Sequence, residues 1–284
     1  MKKTLIALAL SGLALSAVAA DAPKDAPKEP EPDYTLTGNF GVFSDYRFRG
    51  ISQTRLAPAA QGGFDFAHKS GFYLGNWNSN VSSDIYWGGA GLEMDFYGGY
   101  KTEIGSVGID VGTLYYYYPG AIVRASGSSA KKGDFNNHEV YLGLSYGPLT
   151  LKTSYAVSDY FGLNSTTDNY LVGDSSSSIR RASGNSKGTT YVDLTFSKEI
   201  ADKITVSAHA GSTSIKNYSS LSYEDYRVGI ARDINGWVIG LNYFTNNLSS
   251  NGKAFTTSTG APDASLDSKK LYKSAAVISL TKTF

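Results

Sequence analysis

The sequence contains no cysteine. This excludes a disulfide framework, a thiolate nucleophile, a thiolate metal site and a lipid-bearing N-terminal Cys. An exported chain can do without disulfides if its own architecture closes the structure. Histidine is nearly absent, with 3 in 284 residues, which leaves little for a transition-metal centre; no metal and no cofactor is expected. Charge of one sign is missing as well: 26 basic against 25 acidic residues give a formal net charge of +1. No strongly basic or acidic partner is implied, and no basic, aromatic-interleaved surface suggests nucleic acid. Long hydrophobic runs are missing too. The apolar run from Leu5 to Leu15, interrupted by Ser11 and Gly12, is too short for a membrane helix, and nothing later approaches about 18 apolar residues.

That short run has another use. Lys2 and Lys3 precede it, and Ala17-Val18-Ala19-Ala20 follow it before Asp21. A charged n-region, an apolar h-region and a small-residue cleavage site read as a signal peptide over residues 1–20. Cleavage takes the formal net charge from +1 to about −1. Residues 21–33, DAPKDAPKEPEPD, carry a tandem DAPK and no core-forming side chain, and are expected to be a disordered periplasmic linker rich in Pro, Lys and Glu.

From Tyr34 to Arg49 the sequence alternates. Leu36, Phe40, Val42, Tyr46 and Phe48 fall on one face, and Thr37, Asn39, Asp45, Arg47 and Arg49 on the other, the pattern of a strand with one oily and one wet face. The pattern returns near 59–68, 71–80, 89–100, 106–118, 137–146, 149–158, 189–198, 203–213, 222–232, 236–246 and 271–284. Without a membrane helix, a spanning chain has to be a closed barrel, because only helices and barrels satisfy every backbone group in lipid. The expected fold is therefore all-β, a transmembrane antiparallel up-and-down barrel of about 12 strands over residues 34–284. A mean hydropathy of −0.22 fits strands whose alternate residues face water, and 21 Tyr with 31 Gly suit interfacial girdles and close strand packing.

The connections sort by parity. Lys69-Ser70, 101–105, Gly147-Pro148, 199–202 and 233–235 are short; 50–58, 81–88, 119–136, 160–188, 214–221 and 247–270 are longer and rich in Ser, Gly and Asn. Short periplasmic turns alternating with long extracellular loops are the habit of outer-membrane barrels; a soluble sandwich has no reason for it. The chain ends on Phe284, with Leu280 and Ile278 on the same face, which resembles the assembly signal read by the barrel-assembly machinery, with Lys282 standing where another apolar residue is usual.

The stretch GVFSDYRFRGISQT (41–54), followed by PAAQGGFDFAHKSGFYLGNWNSNV (58–81), resembles the opening of the Gcw_chp family, also labelled TorF family porins. The resemblance is specific in this N-terminal third and diffuse afterwards. It implies a proteobacterial outer-membrane barrel, with porin activity inferred for the family.

With the faces assigned, the inward, lumen-lining set is Asp45, Arg47, Arg49, Asp65, Glu93, Asp95, Asp110, Glu139, Lys152, Asp193, His209 and Arg227. A basic residue facing lipid at the midplane costs about 2–4 kcal/mol, so these side chains line water or pair with one another. Arg47 and Arg49 are expected to project from the first strand, opposite the acids of strands four to six, setting a field across the lumen. Tyr115 to Tyr118, Trp87 and Trp237 read as interfacial anchors, with Tyr116 and Tyr118 as candidates to face inward. The loop acids Asp168 and Asp174 read as solvated charges or as contacts to a divalent cation.

The expected function is a passive, porin-like channel for small hydrophilic solutes. The alternatives are a non-conducting barrel with ligand-binding or structural loops, and an outer-membrane lipid acyl hydrolase. For the last, His68 with Ser70, His209 with Ser207, and His138 offer no pair on the outer-leaflet lipid face, so no enzyme is expected. The expected partners are outer-membrane lipid and lipopolysaccharide, the assembly machinery and the solutes; a monomer is expected.

Overall fold

The computed structural model describes residues 32–83, 90–124, 132–167, 184–248 and 271–284. The signal peptide, all of the linker up to residue 31, Trp87, Asp168 and Asp174 lie outside them.

Twelve antiparallel strands close into a barrel. They are β1 (Tyr34–Phe43), β4 (Ala59–His68), β5 (Phe72–Asn80), β6 (Leu92–Ile104), β7 (Val107–Tyr117), β10 (Asn137–Tyr146), β11 (Leu149–Ala156), β12 (Thr190–Ala201), β13 (Ile204–Ser214), β14 (Tyr223–Ile234), β15 (Trp237–Asn246) and β16 (Ala275–Thr283). Two small hairpins stand outside the barrel wall, β2 (Arg47–Phe48) with β3 (Ile51–Ser52), and β8 (Ile122–Arg124) with β9 (Lys132–Asp134). Each barrel strand pairs with its sequence neighbour, and β16 pairs with β1 to close the ring. Phe284 completes that seam: its N–H donates to Gly38 O at 2.9 Å, and Gly38 N–H donates back to Phe284 O at 2.7 Å. A closed ring leaves no unpaired edge, which is what a strand needs to sit in lipid.

Alternation fixes which side of each strand faces out. Leu36, Phe64, Leu74, Val228 and Ile278 are each 57–65% exposed, whereas inward neighbours such as Glu93 and Glu139 are 1% and 3% exposed. The outer surface is thus a continuous apolar belt, far larger than the patches a soluble monomer shows, and it marks a membrane-type barrel. Exposed aromatics rim the belt at both ends: Tyr34, Phe72, Tyr100, Tyr146 and Trp237 towards the short turns, and Tyr115, Tyr117, Tyr155, Tyr226 and Tyr243 towards the long loops. Lys282, the departure from the terminal apolar pattern, lays its ammonium over the Trp237 ring at 5.0 Å, an amphipathic anchor at the belt's edge.

The short turns are tighter than the sequence suggests, because β6, β12 and β14 run on to Ile104, Ala201 and Ile234. The first strand is shorter. It ends at Phe43, and Ser44 keeps one last tie to the wall through its N–H to Ile278 O at 2.9 Å. Beyond it the alternation continues in the sequence but not in space. Tyr46 and Phe48, expected on the lipid face, turn into the barrel, and Arg47 and Arg49 stand on a separate hairpin. The cause is local: the Asp45 carboxylate accepts hydrogen bonds from Ser52 Oγ at 2.6 Å and Thr54 Oγ1 at 3.0 Å and pairs with Arg47, curling the chain back on itself. The last strand likewise begins at Ala275 rather than 271.

Candidate functional site

The hairpin Asp45–Leu56 crosses the barrel interior near the long-loop end. Arg47 pairs with Ser52 and Phe48 with Ile51, leaving Arg49-Gly50 as a two-residue turn. Both turn residues have positive φ, 46° and 78°, as a type I′ hairpin requires. Gly suits its position for a second reason, since a Cβ on Gly50 would come within 2.9 Å of Asp225 Cβ on β14. Arg49 is the unusual member. A bulky side chain in the left-handed region costs roughly 1–3 kcal/mol, and such strain persists only where the surroundings impose it.

The surroundings are specific. Arg49 Nη2 donates to both carboxylate oxygens of Glu139 on β10, at 3.0 and 2.8 Å, and Nη1 donates to the Tyr160 hydroxyl at 3.0 Å. The guanidinium lies 4.0 Å from the centroid of the Tyr191 ring on β12. Burial by itself disfavours the Arg49 charge, but the Glu139 carboxylate beside it outweighs this and holds the group firmly protonated. Burial pushes the Tyr160 phenol up against the pull of Arg49, so it stays neutral. Arg47 Nη1 donates to Leu271 O at 3.0 Å and Lys273 O at 2.8 Å. On the other flank the Tyr46 hydroxyl donates to Glu93 Oε1 at 2.7 Å, and Tyr118 donates to Glu93 Oε2 at 2.7 Å. The two arginines therefore do not face the acids of β6 and β10 across water, as expected from the sequence; the hairpin carries Arg49 over to Glu139 directly.

Aromatic rings fill the same layer. Phe48 packs edge-on against Tyr116 and Phe161 at 5.5 and 5.6 Å, and Tyr46 against Trp77 at 5.5 Å. Phe161 enters from the connection after β11, where its own φ is 48°. Asp95 is buried beside this cluster, and its Oδ1 lacks a hydrogen-bond partner among the described residues. At this level the interior is packed like a protein core.

Towards the short turns the interior changes character. Asp65 accepts from Asn39 at 3.1 Å and from Tyr97 at 2.5 Å, and Asp110 accepts from Tyr73 at 2.6 Å, whose hydroxyl also meets that of Tyr141. Tyr97 lies over Gly75 on the neighbouring strand, where an added Cβ would come within 2.4 Å of the ring. Lys152 sits 3.8 Å over the Tyr141 ring, and Lys101 reaches Asp110 at 3.9 Å. On the facing wall His209, at the middle of β13, lies between Asp193 at 3.1 Å and Asp225 at 2.9 Å, the latter at the level of Gly50, and Arg227 donates to Ser207 and Asn242 at 3.1 and 3.0 Å. Lys101 and Asp193 are partly open to water, their side chains 35% and 24% exposed, whereas Asp110, Ser207, Asp225 and Asn242 are buried.

The sequence-derived set thus divides into three groups. Asp45, Arg47 and Arg49 lie on the hairpin; Glu93, Asp95 and Glu139 belong to the packed layer; Asp65, Asp110, Lys152, Asp193, His209 and Arg227 belong to the polar networks below it. Missing from that set were Asp225, which the face shared with Arg227 would have revealed, and the hydroxyl partners Tyr46, Tyr73, Tyr97, Tyr118, Tyr160 and Tyr191. Of the His–Ser pairs, only His68 and Ser70 meet among the described residues, Nδ1 to Oγ at 2.7 Å, on an exposed short turn. His138 Nε2 meets Thr113 Oγ1 at 2.7 Å instead.

No curated protein matches the sequence. Among solved structures, the chain is similar to the KdgM porin in complex with disordered oligogalacturonate, at 10% identity and a TM-score of 0.47, covering 88% of this chain and 99% of that one. It is similar to the NanC porin at 10% identity and a TM-score of 0.48, with the same coverage. A Pseudomonas aeruginosa FadL homologue matches at 12% identity and a TM-score of 0.40, over 88% of this chain and 89% of that one. All three scores are too low to bear on function. The family described as bacterial protein of unknown function (Gcw_chp) matches residues 27–284, which include the whole barrel and the inward hairpin, and the chain belongs to that family.

Proposed function

We propose that this chain is an outer-membrane, porin-like passive channel for small hydrophilic solutes, with its short turns in the periplasm and its long loops outside. The observation that carries the reading is the contrast between the two faces of one wall. An apolar belt faces out, and the interior below the hairpin is lined by charged and polar side chains, of which Lys101 and Asp193 are partly exposed. A barrel built only to anchor loops has no need of a wet, charged vestibule, whereas a solute path does. The N-terminal signal supplies export, and Ile278, Leu280 and Phe284 on the outward face of β16 serve assembly. The partners in this reading are outer-membrane lipid and lipopolysaccharide, the assembly machinery and the solutes.

The packed outer layer favours a second reading, a non-conducting barrel whose loops bind or scaffold. Swelling of liposomes loaded with the purified mature protein separates the two. A channel swells them in small sugars and amino acids with a rate that falls as solute size rises. Protein that is folded and inserted yet admits none of them is the loop-bearing barrel instead.

A further inference from the structure

The outer half of the barrel holds an asymmetry of charge. Its strands contribute three buried acids, Glu93, Asp95 and Glu139, whereas a fourth, Asp225, is paired with His209 on the neighbouring strand. The guanidinium that meets Glu139 belongs to Arg49, and Arg47, Arg49 and Arg55 all ride on the Asp45–Leu56 hairpin, not on the wall. The hairpin is also held in an uncommon way. Beside the apolar packing of Tyr46, Phe48 and Ile51, it makes a set of polar ties: Arg49 to Glu139 and Tyr160, Tyr46 to Glu93, Arg47 to Leu271 and Lys273, Ser52 N–H to Leu271 O at 3.0 Å, and Ser82 N–H to Gln53 O at 2.9 Å. A fixed plug has no need of a buried ion pair, which gives little net stability over well-packed hydrophobic residues. Groups of this kind can exchange their partners for water if the hairpin leaves. Three of its non-glycine residues, Arg49, Arg55 and Leu56, have φ of 46°, 58° and 61°, strain that is relieved when the hairpin straightens.

We propose that the Asp45–Leu56 hairpin is a displaceable plug, and that the outer lumen it uncovers is a cation-selective filter formed by Glu93, Asp95 and Glu139. Lifting the hairpin removes its guanidiniums and leaves a cluster of three wall carboxylates, an arrangement that admits cations and excludes anions. The solute class is then small cations, inorganic or organic amines. This inference rests on the channel reading above and adds to it the gate and the sign of the selectivity.

The test uses the mature chain, a Glu139→Gln variant, and a variant in which residues 47–52 are replaced by two glycines. The last is designed to keep the barrel, because Gln53 N–H already donates to Tyr46 O at 2.8 Å, so a two-residue turn closes the hairpin one rung lower. Each protein is shown to be folded by heat-modifiable gel mobility, then recorded in a planar bilayer under a potassium chloride gradient. The shortened variant is expected to conduct in larger steps than the mature chain, with a reversal potential on the cation-selective side. Glu139→Gln, which weakens a charge-assisted tie, is expected to raise the open fraction about tenfold. A shortened variant that conducts without cation preference overturns the filter. One that is cation-selective while Glu139→Gln opens no more often than the mature chain overturns the displaceable plug. Silence from all three folded proteins overturns the channel reading itself.

Discussion

Arg49 sets its backbone against its side chain. Its left-handed φ is unfavourable, and the cost is offset by a guanidinium that meets a carboxylate, a phenol and an aromatic face inside the barrel. Removing one member of such a buried pair leaves the other charge without a partner. Arg49→Met is therefore expected to destabilise the folded barrel by about 3–5 kcal/mol, measured by urea unfolding in detergent. Replacing Glu139 by Leu in the same chain is expected to recover most of that loss. If the single and double variants unfold at the same urea concentration as the parent, the Arg49–Glu139 pair does not hold the hairpin. Asp45 acts at the same scale: one carboxylate that gathers Arg47, Ser52 and Thr54 turns a continuing strand pattern into a hairpin.

At the scale of elements, the twelve strands were legible because each buries only one face, so the period-2 pattern survives in the sequence with little tertiary interference. Leu92, Met94 and Phe96 against Glu93, Asp95 and Tyr97 read correctly for that reason. Connections sort by length because chain reversal at one end needs only two residues, as at Gly147-Pro148. The hairpin was not legible, since Tyr46, Arg47, Phe48 and Arg49 keep the alternation of β1, and what takes them off the wall, the ties of Asp45 to Arg47, Ser52 and Thr54 and the capture of Arg49 by Glu139 and Tyr160, lies in side-chain contacts and not in periodicity. Tyr118 was read as a candidate to face inward and does so; the other tyrosines that satisfy the interior acids were hidden because Tyr is equally at home in a lipid girdle and in a polar interior. The displaceable plug makes an element-scale prediction by hydrogen exchange. Amides of Arg47–Ser52 should exchange at least tenfold faster than those of β6 and β7, whose every rung is paired along the barrel. Equal protection in the two segments would mean that the hairpin is as fixed as the wall.

For the whole molecule, the apolar outer face fits lipid, the short-turn half of the interior is polar and charged, and the long-loop half is closed by a segment of the same chain. Twelve strands lie between the small barrels that side chains fill and the large ones that hold a permanent channel. Here the interior uses both solutions, one in each half. The belt and the seam closed by Gly38 and Phe284 explain how the chain can be stable without a single disulfide.

The most direct test of this account is single-channel recording of the purified, folded mature protein in a planar bilayer at symmetrical salt. The account predicts discrete conductance steps with long closures, as expected for a pore whose outer half is opened and shut by its own hairpin. A folded, inserted barrel that never leaves the baseline would contradict it.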